Sequence, residues 1–370
     1  MNIMSIKANK FFKTSLLLSL LTLTACLDPI ELKIPEGFDE TLVIQGVLTK
    51  GSPSSMELTV TRMFDFTIES LTRVNVSEVI LSDEEGNSVE IDRAGTGLYR
   101  TVFDESHPIE IALNKSYKVN ILTFDGRRYE STLEALLPVP QVDSLAIQGI
   151  EKEIVFADGE TTRVDSLVRL ALYTPLSEAS SGERVSLKWD LRRVYRVTDT
   201  PIEVGVQRKT CYLTEDINIT TVKIFDANDL GTIRLEDYEV FDQAFNPTMG
   251  EGLYYELIQS SLTPTAFEYF DQVRQVLERE GNMFEAPPGK LVTNFINTED
   301  AREEVFGYFY ATTTDTARVY VSPDFANFPR TFCPPASGLT RMDGSCAAPT
   351  CCDCLSFENS TTIRPSFWVE

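Results

Sequence analysis

Seven cysteines hold the residue types and spacings in this chain that could do chemistry. Cys26 follows Leu23-Thr24-Ala25. Before that lie a basic stretch with Lys7, Lys10 and Lys13 and an apolar run from Leu16 to Leu23, broken only by Ser19 and Thr22. Basic residues, a short apolar core and small residues before a cut make a secretory signal. The run falls well short of the roughly 20 apolar residues that a bilayer-spanning helix needs. A cysteine that cleavage would leave as the new N-terminus can take a diglyceride on its thiol. The sequence is therefore read as a lipoprotein signal peptide over residues 1–25, with lipid on Cys26 as the membrane anchor. Several acyl chains anchor stably where one is marginal. The competing reading is an ordinary signal peptide with a chance cysteine.

The other six are Cys211, Cys333, Cys346, Cys351, Cys352 and Cys354, five of them crowded into the last 38 residues. Two chemistries compete for them. Four thiolates could hold zinc, but Cys351 and Cys352 are adjacent rather than spaced as in a zinc knuckle. An exported chain meets an oxidising compartment, where an even number of cysteines favours disulfides. The expectation is three disulfides and no metal. Six cysteines permit fifteen pairings, and spacing does not choose among them. A vicinal Cys351–Cys352 bridge would be strained, so each is expected to pair elsewhere. Cys211 lies far from the rest, so one bridge is expected to tie the tail to the body.

Other chemistry is scarce. His107 is the one histidine, followed by Pro108 in a stretch that reads as a loop. Any Ser-His or Cys-His mechanism would have to use it. There is no Gly-x-Ser-x-Gly elbow, no His-Glu-x-x-His and no phosphate-cradling glycine loop. Asp226, Asn228 and Asp229 before Gly231 suggest a calcium loop only faintly, because the twelve-residue ligand spacing is missing. With 56 acidic residues, carboxylate pairs of glycosidase type arise by chance. The net charge is −23, and removing three signal-peptide lysines makes the mature chain more acidic still. Such a field repels phosphate backbones and anionic head groups, which argues against nucleic-acid binding. No catalytic residue, cofactor site or metal site is assigned.

The elements that must position these residues read as mainly β. Residues 26–40 are a polar tether with Pro29, Pro35 and Gly37. Residues 41–137 read as a β-sandwich of immunoglobulin-like or transthyretin-like type. Thr41–Leu48 has strand composition, and Met56–Arg62 alternates apolar and polar residues. Hairpins are expected at Asp83–Asn87 and Asp125-Gly126. Pro138-Val139-Pro140 marks a boundary. Residues 138–322 read as a second β-rich domain with strands at Leu167–Tyr173, Val185–Leu191 and Thr221–Ile224. Turns are expected at Asp158-Gly159 and Asp226–Asp229, and strand composition returns at 291–297 and 305–321. One helix, at about 263–280, interrupts it. Thr263-Pro264 caps its start, Phe267, Phe270, Val273 and Leu277 make its apolar face, and Gly281 supplies its stop. That face is expected to pack on the sheet rather than line a ligand pocket. Residues 323–370 form a cysteine-rich tail packed on the second domain.

A set of short segments in this order resembles a known family. After the lipobox come Leu42-Val43-Ile44-Gln45-Gly46, Ser82-Asp83-Glu84-Glu85-Gly86, Gly97-Leu98-Tyr99-Arg100 and Pro138-Val139-Pro140-Gln141. Later come Gly281-Asn282-Met283-Phe284, Val305-Phe306-Gly307-Tyr308 and the closing Cys351-Cys352-Asp353-Cys354. Together they are similar to the Bacteroidota outer-membrane lipoproteins grouped only as a domain of unknown function, family 4249. The resemblance implies an outer-membrane address, often beside a TonB-dependent transporter, and carries over no catalytic residue. Asp28 and Glu31, close to Cys26, resemble the surface-export signals of such lipoproteins, which would face the body to the cell exterior. Three functions follow as expectations. First is a non-catalytic binding accessory, with a TonB-dependent β-barrel as its partner. Second is a structural or adhesive surface lipoprotein, and last a carboxylate-based hydrolase.

Overall fold

Alternating burial marks most of the strands along the chain. The computed structural model describes residues 41–62, 72–155, 161–178, 181–217, 222–229, 231–279, 291–325 and 332–369. Cys26, the tether, the Asp158-Gly159 turn, Thr221 and Gly281 lie outside these residues. The first nine strands are β1 (Leu42–Lys50), β2 (Ser54–Arg62), β3 (Glu78–Asp83), β4 (Ser88–Glu90), β5 (Arg93–Gly95), β6 (Leu98–Phe103), β7 (Ser116–Leu122), β8 (Arg128–Ser131) and β9 (Glu134–Ala135). The next ten are β10 (Ser144–Val155), β11 (Thr162–Pro175), β12 (Ser186–Thr198), β13 (Thr210–Asp216), β14 (Lys223–Phe225), β15 (Arg234–Ala244), β16 (Leu253–Leu262), β17 (Phe295–Asn297), β18 (Phe309–Val321) and β19 (Ser360–Thr361). Helix α1 (Pro264–Leu277) follows β16. Short helices α2 (Ala336–Leu339) and α3 (Pro349–Cys352) lie in the tail.

Both expected hairpins form, β3 to β4 and β7 to β8. Gly86 and Gly126 take the positive φ their turns require (+91° and +92°). Three sheets result among the described residues. One has ten strands in the order β19-β13-β12-β16-β18-β1-β2-β6-β5, with β14 also on β12. A six-stranded sheet runs β17-β8-β7-β3-β4, with β9 on β7. A three-stranded sheet runs β10-β11-β15. The period of two sends Ile44, Leu48, Met56 and Leu58 to one side of the large sheet, against Leu81, Tyr117, Val119 and Tyr129 of the six-stranded sheet. This is the first core. A second core lies between the same side of β12 and β16 (Trp189, Leu191, Tyr255, Leu257) and Val168, Leu170, Leu172 and Val240 of the three-stranded sheet.

The boundary at Pro138-Val139-Pro140 falls between two cores but not between two sheets. β1 pairs in parallel with β18, from Gly46 opposite Phe309 to Lys50 opposite Thr313. Phe295, Val305, Phe309 and Ala311 return to the first core from late in the chain, and residues 40–370 make one compact unit. Gly307 permits the junction. It has φ +95°, and a Cβ there would stand 1.9 Å from the carbonyl oxygen of Ile44.

The tail packs on the second core. Cys211 bonds Cys354 across 143 residues, Cys333 bonds Cys351 across 18, and Cys346 bonds Cys352 across 6. The buried Asp199 carboxylate accepts the Lys209 amide at 2.6 Å, and Lys209 Nζ reaches Asp353 of the tail at 2.9 Å. β19 then adds to the β13 edge. Beyond it, Trp368 packs edge-on to Tyr212 and Tyr254, with ring centres 5.1 and 5.2 Å apart.

Candidate binding trough

Among the described residues, the outer side of the ten-stranded sheet, turned away from both cores, is covered only at its ends. At one end lies α1. Its N-cap Thr263 accepts the Ala266 amide at 3.2 Å and donates to Glu134 at 2.7 Å. Tyr308 also donates to the buried Glu134 carboxylate. Burial pushes the Glu134 carboxyl up, against the opposing effect of these hydrogen bonds. At the other end, Phe367 and Trp368 rest on Tyr254, and the Arg318 guanidinium lies over Phe367 at 4.4 Å.

Between these caps the floor is set by strand register. On β18, Tyr310, Thr312, Thr314 and Thr316 share the outer side. β1 sets Val47 beside Tyr310 and Thr49 beside Thr312, and β2 sets Ser55 beside Thr49. On the other flank, Ser260 and Ile258 of β16 lie beside Thr314 and Thr316, and Asp190 of β12 lies beside Ile258. Asp216 of β13 follows, opposite Arg192. Ser55 and Asp216 stand on strands five spacings apart, about 24 Å in a flat sheet. Both wall the same cavity of 650 Å³, so the sheet is coiled into a concave trough.

A smaller cavity of 280 Å³ continues it toward α1, and the two share Val47 and Tyr310. Its walls are aromatic. Tyr269 stacks on Tyr308 with centres 4.9 Å apart, and Phe270 meets Tyr310 edge-on at 5.2 Å. Val222 and Val273 complete the apolar side, while Gln45, Glu57 and Thr59 rim the other. Burial raises the Tyr269 hydroxyl pKa, partly offset by its hydrogen bond with Gln45. Burial likewise raises that of Tyr310, which the nearby Lys188 charge opposes.

The charged groups of the floor are matched. Lys188 pairs with Asp190, Arg192 with Asp216 at 2.7 Å, and Arg318 with Glu256. Desolvation acts to lower the Lys188 ammonium, but Tyr310 and Asp190 together hold it above the ordinary lysine value. It therefore stays charged at neutral pH. The trough is close to neutral in a chain whose net charge is −23.

Phe267, Phe270 and Val273 of the expected helix face pack against Ile224, Leu262 and Tyr308, and the face departs from expectation only at its end and in lining a cavity. Ala266 and Tyr269 are its buried residues, Phe270 and Val273 line the smaller cavity, and Leu277 is 53% exposed. The bond from Thr263 to Glu134 anchors the start of the helix to β9. The helix ends at Leu277, with Glu278 as C-cap. Of the other residues singled out by type, His107 sits in a surface loop, its Nδ1 3.0 Å from Asp104. Asp226 accepts the Asn228 amide at 2.8 Å, and Arg184 donates to the Ala227, Asp229 and Thr232 carbonyls. These bonds give a turn tied to the body by a guanidinium. The six cysteines all enter disulfides, one of which joins the tail to β13, and Cys351 and Cys352 take separate partners. The floor residues of the trough are not marked out in the sequence by type. Their one signal is the two-residue period of hydroxyls at Thr312, Thr314 and Thr316.

Residues 27–318 match the model of a family described as Domain of unknown function (DUF4249). No curated protein matches the chain.

Proposed function

The chain belongs to the DUF4249 family, and from that membership we propose that it is a lipid-anchored, non-catalytic binding protein of the outer membrane. Lipid on Cys26 tethers it, with the body facing the cell exterior. The body captures a ligand and passes it to a TonB-dependent β-barrel transporter. The observation that carries this reading is the amphipathic trough, a preformed concavity on a continuous sheet, where binding groups sit on rigid strands. Asp190, Asp216 and Glu256, the carboxylates of its floor, are each engaged by a basic side chain. That suits holding a ligand better than transferring a proton. Purification from the native membrane in mild detergent tests the proposal. The expected result is co-purification with a stoichiometric β-barrel, and loss of membrane attachment in Cys26→Ser. Repeated recovery of the protein alone overturns the accessory role, and an attached Cys26→Ser overturns the anchor.

A further inference from the structure

We infer that the trough binds a short, uncharged oligosaccharide, an inference that rests on the binding reading above and gives it a ligand class. Sugar rings present an apolar C–H face and a rim of hydroxyls, and the trough offers both complements in sequence. At the α1 end, Phe270 and Tyr310 are half-buried and leave ring surface on the cavity. An aromatic ring there accepts the apolar face of a sugar. Tyr310 to Thr316 then spans six residue steps of strand, about 20 Å of floor.

Apart from Thr312, whose hydroxyl donates to the Thr313 carbonyl, the hydroxyls along this floor are unspent. Among the described residues, the side chains of Thr49, Ser55, Ser260, Thr314 and Thr316 make no hydrogen bond to another part of the chain. Each offers one donor and two acceptors. Asp190 and Arg192 stand beside them, both exposed, each satisfied on one side by its ion-pair partner. A carboxylate and a guanidinium so held present their remaining lone pairs and N–H groups in fixed directions, the geometry that adjacent sugar hydroxyls require.

Charge and sheet geometry argue against the other classes. A phosphorylated or acidic ligand would meet a chain at −23 with no unpaired cation on the trough floor among the described residues. A cation would find its carboxylates already matched. An extended peptide gains affinity from the open edge of a sheet. β18 pairs with β1 over Phe309–Thr313 and with β16 over Thr314–Val321, and the trough floor is the face of the sheet, which offers a peptide side chains rather than an edge to extend. An acyl chain would have to cross the hydroxyl-lined floor, leaving those groups without water or partners.

Affinity electrophoresis of the detergent-solubilised, lipidated protein tests the inference. The gels contain starch, xylan, mannan or mixed-linkage β-glucan, with polygalacturonate as the charged comparison. Retardation is expected in at least one neutral gel and not in polygalacturonate. Tyr310→Ala should weaken that retardation about tenfold or more. Thr314→Val with Thr316→Val, which keeps side-chain volume and strand propensity, should weaken it about fivefold. Retention in polygalacturonate alone overturns the charge argument. Retention untouched by both variants overturns the site. A protein that co-purifies with a barrel yet moves freely through every neutral gel overturns the ligand class and leaves the accessory reading standing. Free migration with no barrel removes both.

Discussion

The first core is closed by strands and the second by sulfur. Every strand from β1 to β9 finds ladder partners, and the cross-chain visitor β18 completes the layer by pairing with β1. None of the six cysteines that form disulfides falls within residues 41–137. The second core is closed by residues 332–369, whose regular structure is two four-residue helices, a short 3-10 turn and a two-residue strand. Such a segment makes few backbone hydrogen bonds per residue to offset the entropy lost on ordering it, roughly 1–2 kcal/mol each. Cross-links lessen that loss by restricting the unfolded chain instead. A regular strand seals a core by periodicity, whereas an irregular segment needs covalent help to stay on it.

The largest expected effect breaks that help. Cys211–Cys354 closes a loop of 143 residues, which the chain-entropy relation values at about 5 kcal/mol. Cys346–Cys352 closes only 6 residues, worth about 2 kcal/mol on the same relation. Cys211→Ala with Cys354→Ala should therefore lower the unfolding free energy far more than Cys346→Ala with Cys352→Ala, measured by urea denaturation. Protease cleavage should also concentrate in residues 332–369 while β1–β9 stay resistant. Equal losses from the two pairs, or first cuts within β1–β9, would contradict the contrast between the cores.

A slightly smaller effect probes the strand-sealed side. Phe309 is fully buried at the start of β18, and a Cβ on Gly46, its register partner, would stand 3.1 Å from its ring. Packing this close leaves little freedom to refill a cavity, so Phe309→Ala should cost about 3–5 kcal/mol. Because no disulfide touches this core, the cost should be the same with and without reductant. A loss that vanishes on reduction would mean that the two cores share one closing device.

Much of this arrangement is visible in the sequence, and the limit falls where contacts become distant. The β3–β4 and β7–β8 hairpins and the Thr263-Pro264 start of α1 are legible because their causes lie within a few residues. The attachment of the tail to Cys211 follows from counting cysteines, but the three pairings do not. The joining of the two regions is not legible. Gly46 and Phe309 are both strand-like locally, and nothing near either names the other as partner. The same blindness hides the trough. Thr312, Thr314 and Thr316 alternate visibly, yet an outward row of threonines is also what an ordinary wet strand looks like. Only the curl of the sheet, set by the whole strand order, turns that row into a floor. The apolar stripe of α1 is legible, since Phe267, Phe270 and Val273 pack as their spacing implies, but the anchoring of its N-cap on Glu134, 129 residues before Thr263, is not.

The smallest expected effect sits on the seam between the two regions. Glu134 belongs to β9 on the first core, yet it holds Thr263 and Tyr308, which carry α1 and the approach to β18. Burial, the largest influence, lifts its pKa above the ordinary 4.5, and the hydrogen bonds from Tyr308, Thr263 and Thr265 pull the other way without cancelling it. The folded state therefore binds this proton more tightly than the unfolded state. The resulting stabilisation is complete below the unfolded pKa and is lost as pH rises through the folded one. Glu134→Gln keeps the shape and an acceptor oxygen but does not titrate. Its thermal midpoint should fall less steeply than that of the parent as pH rises from about 4.5, with the difference from the parent smaller than that for either Cys211→Ala with Cys354→Ala or Phe309→Ala. Parallel pH profiles for parent and variant would show that Glu134 is charged equally in both states. The seam would then be an ordinary solvated contact rather than a buried joint. A steeper fall in the variant would mean that the carboxylate form is the one the joint prefers.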